Sequence, residues 1–287
     1  MLLNFITWNV NPEIFHLGSL SVRWYGLLWA IGIWLALFIV QKLFKHEKLS
    51  DEWLDKLFIY TVLGTIIGAR LGHCLFYEWK LLETPVQFLG ITFNYGNYYL
   101  SHPWELLYIW RGGLASHGGA LGILIAMILY NKNVSKKGLI WILDRLVIGA
   151  ALTAASIRLG NLMNSEIYGS ATSLPWGFIF LRDGQTEAMH PTQIYEMLYC
   201  LVAFAVAWWM YWKKEAYKQN GLILGVFLLI TFGTRFLLEF IKIDQEAFES
   251  GMILNMGQIL SLPFIIWGIW LLVRVKKNLP PSPLKGE

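Results

Sequence analysis

Charged side chains occur inside otherwise apolar segments of this chain, and they are the residues from which chemistry is expected. Arg70, Arg158 and Arg235 each lie within a long apolar run, and Glu239 follows Arg235 by four residues. Ionisable groups are costly inside a bilayer, so their presence there favours a functional role. A guanidinium suits phosphate because its planar fork donates two parallel hydrogen bonds. The sequence therefore predicts an anion-binding site within a membrane.

Seven apolar segments must position these residues. A spanning helix needs roughly 20 mostly apolar residues, and 56% of the 287 residues are hydrophobic while only 15% are charged. We therefore predict an all-α polytopic membrane protein, with residues 1–275 as a single transmembrane catalytic domain and residues 276–287 as a disordered cytoplasmic tail. The predicted transmembrane helices cover residues 24–44, 54–78, 113–131, 138–160, 193–212, 222–241 and 257–273.

The basic residues predict the orientation of these helices. Alternate connecting segments hold fourteen and five Lys and Arg residues. Because cytoplasmic loops are enriched in these residues, the N-terminus is predicted outside and the C-terminus in the cytoplasm. The net charge of +4 gives no nucleic-acid signal, since the basic residues lie in short loops between apolar runs. The five on the outer side are Arg23, Lys80, Arg111, Arg182 and Lys242.

Two segments on the outer side are long and contain several Gly, Pro and Tyr residues. Residues 79–112 and 161–192 are predicted to form a small extracytoplasmic head or arms. The two cysteines, Cys74 and Cys200, lie inside apolar runs and are expected to be small hydrophobic residues of helices. Because the chain lacks zinc-ligand spacing and a nucleotide-binding loop, no metal or cofactor is expected.

The predicted topology gives each polar residue a depth in the membrane. At 1.5 Å per residue, Arg158 lies about 3 Å, Arg235 roughly 9 Å and Arg70 roughly 12 Å from the outer end of its helix. Asp144 and Arg145 are the exception, near an inner helix end, where they could pair or snorkel. The shared depth predicts one pocket in the outer leaflet, where a phosphate is most simply a lipid headgroup. Further polar residues at outer helix ends are Tyr25, His117, His190, Glu196 and Gln258.

Each of these residues also has a structural interpretation, which stays open beside the prediction of a shared pocket. Arg158 could be a snorkelling anchor at the interface. Arg235 with Glu239 could be a structural ion pair, and Arg70 could be structural or in contact with lipid. His117 could be a satisfied hydrogen-bonding residue rather than a catalyst.

Three function classes are possible for a membrane chain with buried arginines: an enzyme, a transporter and a structural membrane subunit. An enzyme and a transporter fit equally well from these residues alone. A transporter predicts a midplane site, discontinuous helices and inverted repeats, whereas the polar residues here lie shallower and no repeat is visible. A structural membrane subunit would leave the arginines unexplained.

Several stretches of the chain, in order, resemble the prolipoprotein diacylglyceryl transferase family. Residues 158–169, RLGNLMNSEIYG, resemble its signature Gly-Arg-x-Gly-Asn-Phe-x-Asn-x-Glu-x-x-Gly. The resemblance runs from about residue 22 to residue 270. Each motif alone is weak, but their occurrence together and in sequence order is strong. The other matching stretches are residues 23–26, 110–119, 190–196, 235–239 and 256–263.

The chain departs from the family pattern at three positions. Ile157 precedes the signature arginine where Gly is usual, and Ser165 stands where Gly is common. Thr231 stands four residues before Arg235, where the family often has Tyr. A threonine hydroxyl can donate a hydrogen bond but reaches less far than a tyrosine hydroxyl. The departure therefore concerns any role that the family tyrosine has.

The resemblance implies the first step of bacterial lipoprotein maturation. The diacylglyceryl group of phosphatidylglycerol moves to the thiol of the lipobox cysteine in a prolipoprotein signal peptide, a thioether forms, and glycerol phosphate leaves. The implied partners are this phospholipid, the precursor peptide and the surrounding membrane lipid, with no nucleic acid and no cofactor. The implied location is the bacterial cytoplasmic (inner) membrane, with the active site facing the periplasmic side.

The resemblance also implies roles for individual residues. His117 would be the general base for the thiol, and Arg158 and Arg235 would bind the phosphate, with Glu239 holding Arg235. Tyr25 would orient the headgroup or the thiol. Asn161, Asn164 and Glu166 would fix their loop or bind the glycerol hydroxyls. The remaining residues expected in the substrate site are Arg70, Gly169, His190 and Glu196.

Overall fold

Seven long helices make up most of the part of the chain that the structure describes. The computed structural model describes residues 5–18, 20–77, 79–88, 91–108, 113, 115–243 and 252–277. All seven predicted helices are confirmed, with ends displaced by a few residues. The helices are α1 (Trp24–His46), α2 (Asp51–Phe76), the short turn α3 (Tyr98–Ser101), α4 (Ser116–Tyr130), α5 (Leu139–Met163), α6 (Thr192–Lys213), α7 (Leu222–Leu238) and α8 (Met256–Lys277).

Six of the seven long helices are long and apolar enough to cross a membrane. The exception is α4, which has 15 residues and continues as a π-helical turn over Asn131–Ser135. It begins at Ser116 rather than at the predicted residue 113, because Gly113 has a φ of 75°, outside the helical region. The predicted disordered tail of residues 276–287 is wrong at its first two residues, because α8 continues to Lys277. Residues 278–287 lie outside the described residues, and the single-domain assignment stays a prediction.

Short strands lie outside the long helices, and they were not predicted from the sequence. Strands β1 (Ile6–Trp8) and β6 (Phe178–Phe180) pair in parallel. Strands β2 (Glu13–Leu17) and β3 (Leu20–Arg23) form an antiparallel pair, as do β4 (Trp79–Phe88) and β5 (Ile91–Asn97). Each described sheet has two strands. Such small sheets give no sequence pattern that distinguishes their strands from loops.

The described helices form two compact units. The first contains most of α1 and α5, together with α6, α7 and α8. The second contains α2, α4 and the β4–β5 pair.

Glycines let α2 and α4 approach each other closely in the second unit. Gly64, Gly68 and Gly72 follow at four-residue intervals on α2, and they face Gly118 and Gly122 of α4. A Cβ atom on Gly122 would lie 2.1 Å from the carbonyl oxygen of Gly64, and one on Gly118 would lie 2.3 Å from that of Gly68. Small residues at such spacing are how membrane helices pack backbone against backbone. This contact positions the first turn of α4, which carries His117.

Gly122→Ala is expected to destabilise the second unit by about 1–3 kcal/mol, the usual cost of overpacking. The added methyl group would meet backbone, which cannot rotate away. Gly119→Ala is the matched control, because its Cβ would meet the nearest atom, Ala69 Cβ, at an ordinary 3.5 Å. Thermal unfolding in detergent should lower the Tm of Gly122→Ala only; equal Tm values for both variants would contradict the close packing.

Asp144 and Arg145 fix the N-terminal end of α7 in the first unit. Asp144 is fully buried, and its two carboxylate oxygens accept hydrogen bonds from the backbone N–H of Gly221 at 2.6 Å and of Leu224 at 2.7 Å. A carboxylate of α5 thus caps the N-terminus of α7. Arg145 is buried rather than snorkelling, and its Nη2 donates to the carbonyl oxygen of Tyr217 at 2.9 Å.

Asp144→Ala is expected to lower the free energy of unfolding by about 1.5–3 kcal/mol, the range for hydrogen bonds to a charged group. Asp144→Asn keeps one acceptor oxygen and should lose less. Asp55→Ala, at an exposed position of α2, is the control. Denaturant unfolding of the purified variants measures their free energies of unfolding, which should fall least for Asp55→Ala and most for Asp144→Ala. An Asp144→Ala variant as stable as Asp55→Ala would exclude the capping role.

Candidate active site

Arg158 forms an ion pair with a fully buried carboxylate. It lies in the next-to-last turn of α5, and its Nε is 2.9 Å from Oε2 of Glu196 on α6. The Glu196 side chain is 0% exposed, and that of Arg158 is 20% exposed. The Nη1 of Arg158 also donates to Oδ1 of Asn161 at 3.3 Å. These contacts hold the guanidinium against protein groups, which favours a built site over a snorkelling anchor.

Arg235 forms the ion pair with Glu239 that their spacing predicts. Its Nε lies 3.5 Å from Oε1 of Glu239, which is buried, whereas a third of the Arg235 side chain is exposed. Asn255 Nδ2 donates to Oε2 of Glu239 at 3.3 Å. The carboxylate is packed against Gly257, where a Cβ would lie 2.5 Å from Glu239 Cδ. Glu239 is therefore held in place, and Arg235 keeps an accessible face.

Lys242 links the two ion pairs, a role that was not predicted from the sequence. Its Nζ lies 2.8 Å from Oε1 of Glu196 and 3.2 Å from Oε1 of Glu239, and its side chain is only 2% exposed. From the sequence, Lys242 is predicted only as one of the five outer basic residues. Its position three residues after Glu239 is the one signal that could have indicated an ion pair.

The loop after α5 is folded around the carboxylate of Glu166. Oε1 of Glu166 accepts hydrogen bonds from Nδ2 of Asn161 at 2.8 Å and from Nδ2 of Asn164 at 3.1 Å. Ser165 and Ile167 have φ values of 56° and 60°, in the left-handed region that favours glycine. Glycine, the residue that the resemblance predicts at position 165, adopts such φ values without strain. The contacts support loop fixation as the role of the two asparagines.

Gly169 lets the segment after α7 approach this loop. A Cβ on Gly169 would lie 2.5 Å from the carbonyl oxygen of Ile241 and 2.9 Å from Cβ of His190. The backbone N–H of Ser170 donates to Ile241 at 2.8 Å, and Gly169 forms an isolated β-bridge with Lys242. The role of Gly169 here is steric, since it brings Lys242 towards α6.

His190 precedes α6 and contacts an aromatic side chain. Its Nδ1 lies 3.4 Å from the hydroxyl of Tyr195, which accepts a hydrogen bond from Nε1 of Trp176 at 2.8 Å. Burial lowers the pKa of His190 below its usual value, so the neutral form is favoured. His190 therefore contributes an uncharged ring near Gly169.

Tyr25 and Gln258 have packing and capping contacts. The ring of Tyr25, in the first turn of α1, packs on Gly160, where a Cβ would lie 2.8 Å from Tyr25 Cδ2. Gln258 and Asn255 cap the start of α8 reciprocally. The Gln258 N–H donates to Asn255 Oδ1 at 2.9 Å, and the Asn255 N–H donates to Gln258 Oε1 at 3.1 Å.

Thr231 occupies the position at which the family often has tyrosine. Its hydroxyl is buried one turn before Arg235, without a hydrogen-bond partner in the part of the chain that the structure describes. Phe232 stacks on Phe264 of α8 with ring centroids 4.2 Å apart. Neither side chain supplies the reach of a tyrosine hydroxyl.

Arg70, in the second unit, donates mainly to backbone. Its Nε, Nη1 and Nη2 donate to the carbonyl oxygens of Leu106 at 3.0 Å, Gly113 at 3.2 Å and Glu105 at 2.8 Å. Arg70 is buried, and these bonds hold the segment before α4 against α2. The contacts favour the structural interpretation of Arg70, and its contact with substrate stays a prediction.

His117 is the second residue of α4 and is exposed. It belongs to the second unit, whereas Arg158 and Arg235 belong to the first. His73 of α2, which was not predicted from the sequence, has its ring beside Gly113: a Cβ there would be 2.5 Å from His73 Nε2. Its spacing of three residues from Arg70 could have indicated it.

Comparison with known proteins identifies the family of this chain. A profile described as Prolipoprotein diacylglyceryl transferase matches residues 12–274. The chain is 47% identical over 288 residues to the phosphatidylglycerol–prolipoprotein diacylglyceryl transferase of Porphyromonas gingivalis, covering 96% of each chain. It is 42% identical to the protein of that name from Chloroherpeton thalassium, again covering 96% of each. For the Tolumonas auensis protein the identity is 41%, over 94% of this chain and 98% of the relative. The chain therefore belongs to the prolipoprotein diacylglyceryl transferase family.

Proposed function

We propose that this protein transfers the diacylglyceryl group of phosphatidylglycerol to the thiol of a lipobox cysteine in a prolipoprotein. The relatives' names state both substrates. The observation that carries the proposal is the linked, largely buried ionic network that holds Arg158 and Arg235 through Glu196, Lys242 and Glu239.

The transfer is a substitution at carbon. The sulfur of the lipobox cysteine attacks the glyceryl carbon that bears the phosphate, and a carbon–sulfur bond forms. The carbon–oxygen bond to the phosphate breaks, and its electron pair stays on the oxygen of glycerol phosphate. The thiol proton passes to a base. The cysteines Cys74 and Cys200 of the chain are buried and not required, since the substrate supplies the nucleophile.

Arg158 and Arg235 stabilise the charge that develops on the leaving phosphate. Preformed cations aimed at developing charge need no reorganisation during the reaction. Arg158 is fixed by Glu196 and Asn161, and Arg235 by Glu239. Both arginines keep partly exposed side chains, and a guanidinium can bind phosphate through two parallel hydrogen bonds.

His117 is the proposed general base. A free cysteine thiol has a pKa of about 8.5 and is mostly protonated at neutral pH. A histidine side chain is suited to accept its proton. The exposure of His117 at the start of α4 supports access to an incoming thiol.

The proposed location is the bacterial cytoplasmic (inner) membrane, with the active site on the periplasmic side. The six membrane-spanning helices support a multi-pass protein. The alternation of fourteen and five basic residues supports an external N-terminus and a cytoplasmic C-terminus. Exported precursors carry their lipobox to that same side.

The test is an assay of the purified protein with phosphatidylglycerol and a lipobox peptide. The expected result is a diacylglyceryl mass gain on the cysteine with release of glycerol phosphate. A peptide with Cys→Ser at the lipobox and a diacylglycerol without phosphate are the matched negative substrates. Failure to modify the cysteine peptide, or solute flux across vesicles without modification, would contradict the proposal.

A further inference from the structure

Lys242 is a buried lysine that the proposed chemistry does not use. It follows the 3-10 turn Glu239–Ile241 at the end of α7, and 2% of its side chain is exposed. Lysine is almost never fully buried unless it is paired. Its burial therefore needs a specific set of partners, and these partners are the carboxylates of the candidate site.

Lys242 lies at the centre of a chain of five ionic side chains. Its ammonium contacts Glu196 at 2.8 Å and Glu239 at 3.2 Å. Each carboxylate also contacts an arginine: Glu196 contacts Arg158 at 2.9 Å, and Glu239 contacts Arg235 at 3.5 Å. The chain joins the ends of α5, α6 and α7 and alternates in sign at every step.

The third cation sets the charge of the site. Asn161, a partner of Arg158, also binds Glu166, so among the described residues three carboxylates belong to this cluster: Glu166, Glu196 and Glu239. Three cations, Arg158, Arg235 and Lys242, balance the charge of these three carboxylates. Without Lys242, the carboxylates would outnumber the arginines, and a phosphate anion would meet net negative charge where screening is weak.

The backbone of Lys242 is fixed independently of its side chain. The segment pairs with the loop after α5 through the bridge from Gly169 to Lys242 and the bond from Ser170 to Ile241 at 2.8 Å. Only glycine fits at position 169, because a Cβ would lie 2.5 Å from the Ile241 carbonyl oxygen. The site thus has a built position for this ammonium group.

We propose that Lys242 is a positioning residue of the phosphate site: it holds Glu196 and Glu239, keeps Arg158 and Arg235 in register, and leaves their charge available to an anion. The proposal deepens the proposed function and rests on it. Lys242 acts through the arginines and does not contact the reacting atoms.

The experiment compares Lys242→Met, Lys242→Gln and Lys242→Arg in the transfer assay. The two variants that lose the charge are expected to lower kcat/KM about 100-fold, as for one partner removed from a buried charge pair. The KM for phosphatidylglycerol and the inhibition constant of glycerol phosphate should rise together. Lys242→Arg should stay within a few-fold of the wild type, and Lys218→Met, at an exposed lysine, should leave both constants unchanged.

The outcomes separate positioning from a purely structural role. If Lys242→Met does not fold, Lys242→Gln keeps a donor and carries the measurement. Normal KM and inhibition constants with only a lowered Tm would overturn the proposal. If the wild type itself modifies no peptide, the proposed function fails, but calorimetric binding of glycerol phosphate to the wild type and to Lys242→Gln still tests Lys242. Equal affinities there would overturn it.

Discussion

Arg158→Lys is expected to lower kcat/KM for transfer from phosphatidylglycerol by about 100-fold or more, the usual loss when one transition-state donor is removed. The positive charge remains, so the loss would come from geometry. Arg158 uses Nε for Glu196 and Nη1 for Asn161. A lysine ammonium is a single point charge and cannot keep both partners while it binds a phosphate through two bonds.

The activity of Arg158→Lys is measured by mass gain on the lipobox peptide, with Arg182→Lys as the control. Arg182 is exposed, in the 3-10 turn after β6, and its substitution should leave transfer unchanged. Arg235→Lys is expected to lose activity for the same reason as Arg158→Lys. Full activity of both variants at the two sites would rule out bidentate phosphate binding.

His117→Gln is expected to reduce transfer by about 100- to 10,000-fold, the range for loss of a general acid or base. Glutamine keeps the approximate size and polarity of histidine but cannot take up a proton at neutral pH. Because His117 is exposed in the first turn of α4, the variant should fold and insert normally. His16→Gln, at an exposed position of β2, is the matched control.

The pH dependence identifies the cause of that loss. Without a base, the reaction needs preformed thiolate, whose fraction rises about tenfold per pH unit up to the thiol pKa near 8.5. Residual activity of His117→Gln should rise more steeply with pH over that range than wild-type activity. Turnover near the wild-type rate at pH 7 would exclude His117 as the base.

The membrane helices could be predicted because each carries its own signal. Apolar length decides whether a segment can span a bilayer, and that is a local property of the chain. Even α2 and α7, interrupted by Arg70 and Arg235, were predicted correctly. The sheet of β1 and β6 could not be predicted, because its two strands lie more than 160 residues apart along the chain and a strand depends on its partner.

The arginine site could be predicted in part. The pairing of Arg235 with Glu239 follows from helical spacing, and the structure contains it. The partner of Arg158 is Glu196, on another helix, and no spacing rule connects positions 158 and 196. Arg70 has the same residue type as the other two, yet its nitrogens donate to backbone carbonyls. Residue type alone does not distinguish an arginine that pairs with a carboxylate from one that donates to backbone.

The sequence by itself determined the seven helices and the family, and with the family the substrates and the residues expected to act. It could do so because apolar length and motif spacing are local properties of the sequence. Only the tertiary structure decided how carboxylates are shared: Lys242 between two ion pairs, Asp144 on the first turn of α7, Glu166 within its own loop. A buried charge is stable only beside its partners, and those partners come from distant segments that folding brings together.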